Sequence, residues 1–142
     1  YIEEYFTRYP GVKTFLDKMV EEAHATGAVT TLFGRRRELP AIKSRNFNQR
    51  TLAERMAMNT PIQGTAADII KLAMIRAEKA LQDAGAKSRI LLQVHDELVL
   101  EVPAAEVAEV TEILREAMEH VVQLSVPLLI EVKAGKNWAE AK

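Results

Sequence analysis

Cysteine is absent from the 142 residues of this chain. That excludes a disulfide framework and thiolate metal sites, and it fits a reducing compartment. Long apolar runs are also missing. Charges interrupt each one within a few residues, so no segment is suited to crossing a membrane. No charged-then-apolar leader pattern opens the sequence. Internal repeats and low-complexity stretches are absent as well. What remains is 48% hydrophobic and 27% charged, the balance of a globular chain and not of a disordered one. The length suits one domain with a real core. The first residue is Tyr1 rather than a methionine, and YIEEYFTRYPGV reads as the interior of a helical region. The chain is therefore expected to be a piece of something longer.

The net charge of -1 hides an asymmetry. Between positions 35 and 55 stand Arg35, Arg36, Arg37, Lys43, Arg45, Arg50 and Arg55, against only Glu38 and Glu54. Seven cations against two anions leave that stretch at +5 and the remainder near -6. A concentrated basic stretch on a near-neutral chain attracts a polyanion locally. Its plain alternative is a solvated charged face.

The periodicities give an element order. Val12, Phe15, Leu16, Met19, Val20 and Ala23 fall at helical spacing, after a Pro10-Gly11 turn and before a Gly27 stop. Ala28 to Leu39 reads as a short hairpin, or a looped pair of extended segments, around Gly34. Residues 47 to 58 read as helical. Thr60-Pro61-Ile62-Gln63 reads as a new helix start, with Thr60 as cap, Pro61 in the first turn and Gln63 completing a capping box. Thr65 to Asp68 offers a second box, with Asp68 as a capping residue and not a metal ligand. Ala66, Ile69, Ile70, Ala73, Met74, Ala77 and Leu81 then form one apolar stripe, ended by Gly85. Residues 104 to 122 form an amphipathic helix through Val107, Val110, Leu114, Ala117 and Val121. Val126 to Val132 is expected to be a last strand, with Pro127 at an edge or strand start. The fold class is α+β: an antiparallel sheet packed against amphipathic helices, with helices ahead of it.

RILLQVHDELVLEV is the most informative stretch. Two β-rich runs, Ile90 to Val94 and Leu98 to Val102, flank His95-Asp96-Glu97 as a hairpin with a polar tip, closed by Pro103. A tight hairpin turn favours Asn-Gly, Asp-Gly or Gly-X, since its central residues need positive φ. His-Asp is a poor choice for folding, and a local rule broken in an otherwise regular hairpin points to function. Asp96 and Glu97 place two carboxylates side by side, where oxygen can hold a hard cation such as Mg²⁺. The bland reading is a solvated polar turn. Another is a His-Asp phosphohydrolase, which needs further histidines converging on the metal; only His24 and His120 are available.

With Gln93-Val94-His95-Asp96-Glu97 between apolar runs, the sequence resembles the C-terminal polymerase motif of bacterial family A DNA polymerases. Thr31-Leu32-Phe33-Gly34-Arg35-Arg36-Arg37 is similar to the family's TLFGRRR segment. Ala53-Glu54-Arg55, followed by Asn59-Thr60-Pro61-Ile62-Gln63-Gly64-Thr65-Ala66-Ala67-Asp68, is similar to its AER and N-x-P-x-Q-G-(T/S)-AAD segments. The end, with Trp138 and Ala141-Lys142, is also alike. HDE alone is a weak signal; four motifs in the family's order, over the whole chain, are a strong one.

The resemblance implies a right hand of palm, fingers and thumb. Residues 1–50 would be the end of the fingers and 51–142 a portion of the palm, with the hairpin in the palm sheet. The implied reaction is template-directed transfer of a deoxynucleotide from a deoxynucleoside triphosphate to a primer 3′ end. Two Mg²⁺ ions about 4 Å apart would drive it. Asp96 would be a ligand, Glu97 a supporting or metal-proximal group, and His95 a neighbour of the primer terminus. Arg55, Asn59 and Gln63, spaced by four, would share a face of a continuous helix. Donors there suit the minor-groove acceptors common to every correct base pair. Gln63 has its capping box as the alternative role, and Arg55 a surface pair with a neighbouring Glu. Arg35, Arg36 and Arg37 have two readings, template phosphates or bracing of the fingers. The implied partners are primer-template DNA, the triphosphate and the remainder of the polymerase chain, in a bacterial cytoplasm at the nucleoid. No D-Y-S-Q-I-E-L-R-like segment with a second metal-bridging Asp occurs here. No R-x₃-K fingers helix for the triphosphate occurs, nor do thumb or exonuclease segments. The 142 residues alone are therefore expected not to polymerise. The competing functions are a non-catalytic DNA-binding module and a metal-dependent phosphohydrolase.

Overall fold

The computed structural model describes residues 1–141; the terminal Lys142 of the family-like ending lies outside them. Two compact units divide the chain, 1–66 and 67–142, and each is described by itself. Helices dominate, with two small antiparallel two-stranded sheets, which is the α+β class expected.

In the first unit, helix α1 (Ile2–Arg8) is followed by α2 (Pro10–Thr26). Pro10 occupies the first turn of α2 and marks no separate turn. Proline is preset for that place, where its missing N–H costs nothing. Gly27 ends α2 in the left-handed region at φ 77, and its N–H donates to the Ala23 carbonyl. Strands β1 (Ala28–Thr30) and β2 (Arg36–Glu38) then form the expected hairpin, with Val29 opposite Arg37. A short 3₁₀ turn, Pro40–Lys43, leads to helix α3 (Phe47–Asp83). The core of this unit is Ala23, Val29, Leu39, Ile42, Ala53 and Ala57.

The expected break at Thr60-Pro61 does not occur: α3 is one helix of 37 residues with Pro61 inside it. A mid-helix proline forfeits one hydrogen bond and crowds the preceding turn, at roughly 3 kcal/mol. Packing and side-chain ties offset this. Ala57, Thr60 and Pro61 are buried, and the β1–β2 loop is bonded to the helix around them. Arg37 Nη1 donates to Thr60 Oγ1 at 3.0 Å. Leu32 N–H donates to Thr65 Oγ1 at 2.9 Å, and that hydroxyl donates to the Pro61 carbonyl. Thr60 thus receives a bond from an arginine instead of capping a helix. Gln63 completes no capping box, because no helix begins there. Asp68 likewise stands in the helix interior, away from any capping position.

In the second unit the stripe Ile70, Ala73, Ala77 and Leu81 of α3 is buried. The Ala86 N–H donates to the Leu81 carbonyl and the Gly85 N–H to that of Gln82, a Schellman ending with Gly85 at φ 66. Strands β3 (Arg89–Val94) and β4 (Glu97–Glu101) form the second hairpin. A 3₁₀ turn at Ala104–Glu106 precedes α4 (Val107–Glu119), which is shorter than the 104–122 stretch read from periodicity. Val110, Leu114 and Ala117 of α4 pack with Ala77 and Leu81, and Ile90, Leu100 and Ile130 lie against them.

The expected strand at 126–132 is not formed among the described residues. Pro127 has no N–H to give a ladder, and Val126 and Leu129 are exposed. Ile130 alone packs on the core, and its N–H is taken by the Glu119 carboxylate at 2.9 Å.

Two outcomes test these contacts. Glu106 accepts from the N–H groups of Lys87 and Ser88 and from the buried Ser88 hydroxyl, at 2.6 Å. The hydroxyl bond, then the backbone bonds, hold its carboxyl below the ordinary 4.5. A lowered folded value means stability that is complete above the ordinary carboxylate range and is lost as pH falls through the folded value. The urea midpoint should therefore fall on acidification below about pH 5, and Glu106→Gln should flatten that slope. Gly64, inside α3, is in close contact: an added Cβ would lie 2.7 Å from the Thr31 methyl. Glycine to alanine inside a helix normally gains about 1 kcal/mol. Here Gly64→Ala should instead destabilise, by about 1–3 kcal/mol of overpacking, read as a lower unfolding midpoint.

Candidate active site

The acidic hairpin is set by its register. Near its open end Arg89 pairs with Glu101 and Ile90 with Leu100. Past an irregularity at Leu91, Leu92 pairs with Val99, Gln93 with Leu98 and Val94 with Glu97. That one extra residue in β3 is a bulge, and it leaves only His95 and Asp96 in the turn. Without it, Gln93 would face Glu97 and three residues would turn the corner.

His95 takes φ 54, the one non-glycine residue in the left-handed region among those described. A central hairpin position with positive φ is usually taken by glycine or asparagine. The Gln93 side-chain amide donates to the His95 carbonyl at 2.9 Å and braces the corner. A histidine held in this conformation costs about 1–2 kcal/mol, a strain that folding alone does not require.

His95, Asp96 and Glu97 are thus adjacent and exposed. Glu97 is the first residue of β4 and not part of the turn itself. By strand alternation it shares a face with Val99 and Glu101, opposite the face that carries Leu100 toward the core. The donor chemistry is hard oxygen, which suits Mg²⁺. It is a partial set: no group of three or more His, Asp or Glu that could hold a metal occurs among the described residues. His24 is bonded to Glu54 at 2.9 Å in the first unit, and His120 accompanies Glu116 on α4. No ring of histidines of the phosphohydrolase kind is formed.

In the first unit, Arg55, Asn59 and Gln63 lie on uninterrupted α3 and are all exposed. Four-residue steps advance about 40° each, so the three lie within a sector of about 80°. The shared face conditional on a continuous helix is therefore present. The arginine triplet is engaged with the fold. Arg36 is paired with Glu38 at 2.6 Å and also reaches the Thr26 carbonyl. Arg37 holds Thr60, and Arg35 Nη2 donates to the Gly64 carbonyl at 3.3 Å. Sequence reasoning missed Thr31, Thr60, Thr65 and Gly64 as the seat of this loop. The signal available was the small residue at 64 inside an otherwise strong helix pattern, a mark of close approach.

If the His95 conformation is imposed by function, glycine should suit the turn better. His95→Gly should raise the unfolding free energy by up to about 1 kcal/mol, while the β-branched His95→Val should lower it. Equal midpoints for all three would mean that the turn carries no strain.

Comparison with known proteins follows the same lines. The profile of DNA polymerase family A matches residues 1–140. DNA polymerase I of Streptococcus pneumoniae is 55% identical over all 142 residues, which make up 16% of that protein. The Caldicellulosiruptor bescii DNA polymerase I is 54% identical over the same span, 17% of its length. The solved POL domain of Pol1 from M. smegmatis, in complex with DNA primer-template and dNTP, superposes with a TM-score of 0.96 at 48% identity. That match covers 99% of this chain and 25% of the other. The chain thus spans about a sixth of the length of the curated relatives it matches, and it belongs to DNA polymerase family A.

Proposed function

We propose that this chain supplies part of the active site of a DNA-directed DNA polymerase. The reaction is transfer of a deoxynucleotide onto a primer 3′ end, with release of pyrophosphate. Residues 1–50 serve as the end of the fingers and 51–142 as palm. The observation that carries this reading is the exposed, strained His95-Asp96 turn, kept in a chain whose relatives are polymerases.

Each residue has a task its geometry suits. Asp96, at the corner, presents its carboxylate to divalent metal, and Glu97 adds a second carboxylate beside it. Mg²⁺, when bound there, neutralises charge and lowers the pKa of a coordinated hydroxyl. His95, fixed by the Gln93 bond to its carbonyl, stands next to Asp96 and faces the primer terminus. Arg55, Asn59 and Gln63 offer donors to the minor-groove edge of the terminal pairs. Purine N3 and pyrimidine O2 occupy similar places in every correct pair, so these donors test shape and not sequence. Arg35, Arg36 and Arg37 act first as braces: Arg35 and Arg37 tie the hairpin to α3 through Gly64 and Thr60, and Arg36 is held by Glu38 and the Thr26 carbonyl. Partners are primer-template DNA, the triphosphate and the rest of a polymerase chain, in a bacterial cytoplasm at the nucleoid. The helices described include none long and apolar enough to cross a membrane. The segments that would bring a second metal-bridging Asp and the triphosphate-binding Arg and Lys are not in these 142 residues, so the chain by itself does not extend primers.

Asp96→Ala in a full-length polymerase carrying this sequence should lower turnover by at least about a thousandfold, the scale of losing an electrostatic partner of the reacting groups. Primer-template affinity should stay within a factor of about two, since the carboxylate gives DNA binding no attraction. Turnover close to the parent would defeat the metal-ligand role and leave a DNA-binding module. Template-dependent extension by the 142 residues alone would defeat the claim of inactivity.

A further inference from the structure

The seven cations of the 35–55 stretch are not equivalent in the folded chain. Arg35, Arg36 and Arg37 are bonded to Gly64, Glu38 and Thr60. Arg50 is also committed: Nη1 donates to the Ser44 carbonyl at 3.1 Å, and the guanidinium lies over the Phe47 ring at 5.7 Å. The side chains of Lys43 and Arg45, both exposed, enter no hydrogen bond or ion pair among the described residues. They flank Ser44 at the corner between the 3₁₀ turn and α3, and that corner is held by local hydrogen bonds. Asn46 Oδ1 accepts from the N–H groups of Asn48 and Gln49, the Ser44 hydroxyl accepts from the Asn46 N–H, and it also bonds Gln49 Oε1 at 2.9 Å. The first turn of α3 carries no acidic residue, and residues 39–53 of the sequence contain none. The corner therefore presents two cations without an ion pair among the described residues, on hydrogen-bonded backbone, in the same unit as the Arg55–Gln63 face.

We propose that Lys43 and Arg45 form a phosphate-backbone contact for DNA, distinct from the arginine triplet that sequence alone singles out. The inference rests on the polymerase reading of the chain, and it names residues that this reading does not use. Charge complementarity selects the occupant: two exposed cations with no acidic residue between 39 and 53, in the most basic segment of a chain with net charge -1, suit a polyanion. Backbone contacts of this kind add affinity and register without sequence preference.

The test measures primer-template binding by fluorescence anisotropy, without nucleotide, across a salt series, in a full-length polymerase carrying this sequence. Each phosphate contact contributes about 0.9 to the slope of log affinity against log salt. Lys43→Ala with Arg45→Ala should weaken binding several-fold at low salt and flatten the slope by about 1.8. Lys43→Arg should restore its share. Lys133→Ala with Lys136→Ala removes the same charge elsewhere and should leave the slope unchanged. An unaltered slope in the Lys43/Arg45 variant overturns the proposal. So does an equal change in the control pair, which would reveal a net-charge effect. Melting temperatures equal to the parent's confirm that the readout is binding and not folding; single Gln replacements serve if the double variant melts early. Failure here with a collapse of turnover in Asp96→Ala removes only this contact, whereas parent-like turnover in Asp96→Ala removes the catalytic reading itself.

Discussion

The first unit depends on keeping α3 helical through Pro61. Arg55, Asn59 and Gln63 share a side only while the helix does not bend or restart between them. Proline opposes this, and the β1–β2 loop holds the helix in place against it. Arg37 grips Thr60, Leu32 and Pro61 meet at the Thr65 hydroxyl, and Arg35 takes the Gly64 carbonyl. Gly64 permits the approach because it has no side chain to strike Thr31. The loop and the exposed face of α3 are thus one mechanical piece. A change in the loop would be felt at Gln63 without any contact to Gln63 itself.

This bracing also divides the basic residues by task. An arginine whose guanidinium is already bonded to a carboxylate or carbonyl has fewer donors left for a phosphate. It also gives up less charge to attract one when its partner is anionic, as Glu38 is for Arg36. Lys43, Arg45 and Arg55 are exposed and have no such partner among the described residues. Composition counts all seven alike, while hydrogen bonding separates them.

Much of this was legible in the sequence. Helical spacing gave α2, the Gly27 and Gly85 stops and the buried stripe of α4. β-rich composition gave both hairpins, and the improper turn residues at 95 and 96 marked the acidic tip. What misled were local rules that tertiary contacts override. Thr60-Pro61 has every feature of a helix start, yet the loop that spans it comes from thirty residues earlier, beyond the reach of a capping rule. Val126 to Val132 has strand composition, but a strand needs a partner, and composition does not provide one. The Leu91 bulge is invisible to pattern, since a one-residue slip leaves both strands apolar. The hold of Glu106 on Lys87 and Ser88 bridges 18 residues or more, and no periodicity connects them.

The two acids differ by their place in the hairpin. Glu97 is the first residue of β4, in the ladder opposite Val94, so its side chain stands on a sheet face and shares it with Glu101. Asp96 stays in the turn, on a short side chain with two rotatable bonds, next to a histidine whose backbone has few alternatives. An oxygen on so short a lever is positioned by the backbone, while the longer Glu97 has a further torsion to settle. Placement within a fraction of an ångström is what metal-assisted transfer rewards. The strain at His95 is therefore best read together with Asp96: a glycine would make the same turn at less cost but would leave the corner freer to move. On the proposed reading, the turn gives up about 1–2 kcal/mol of stability to hold the Asp96 carboxylate on a constrained corner.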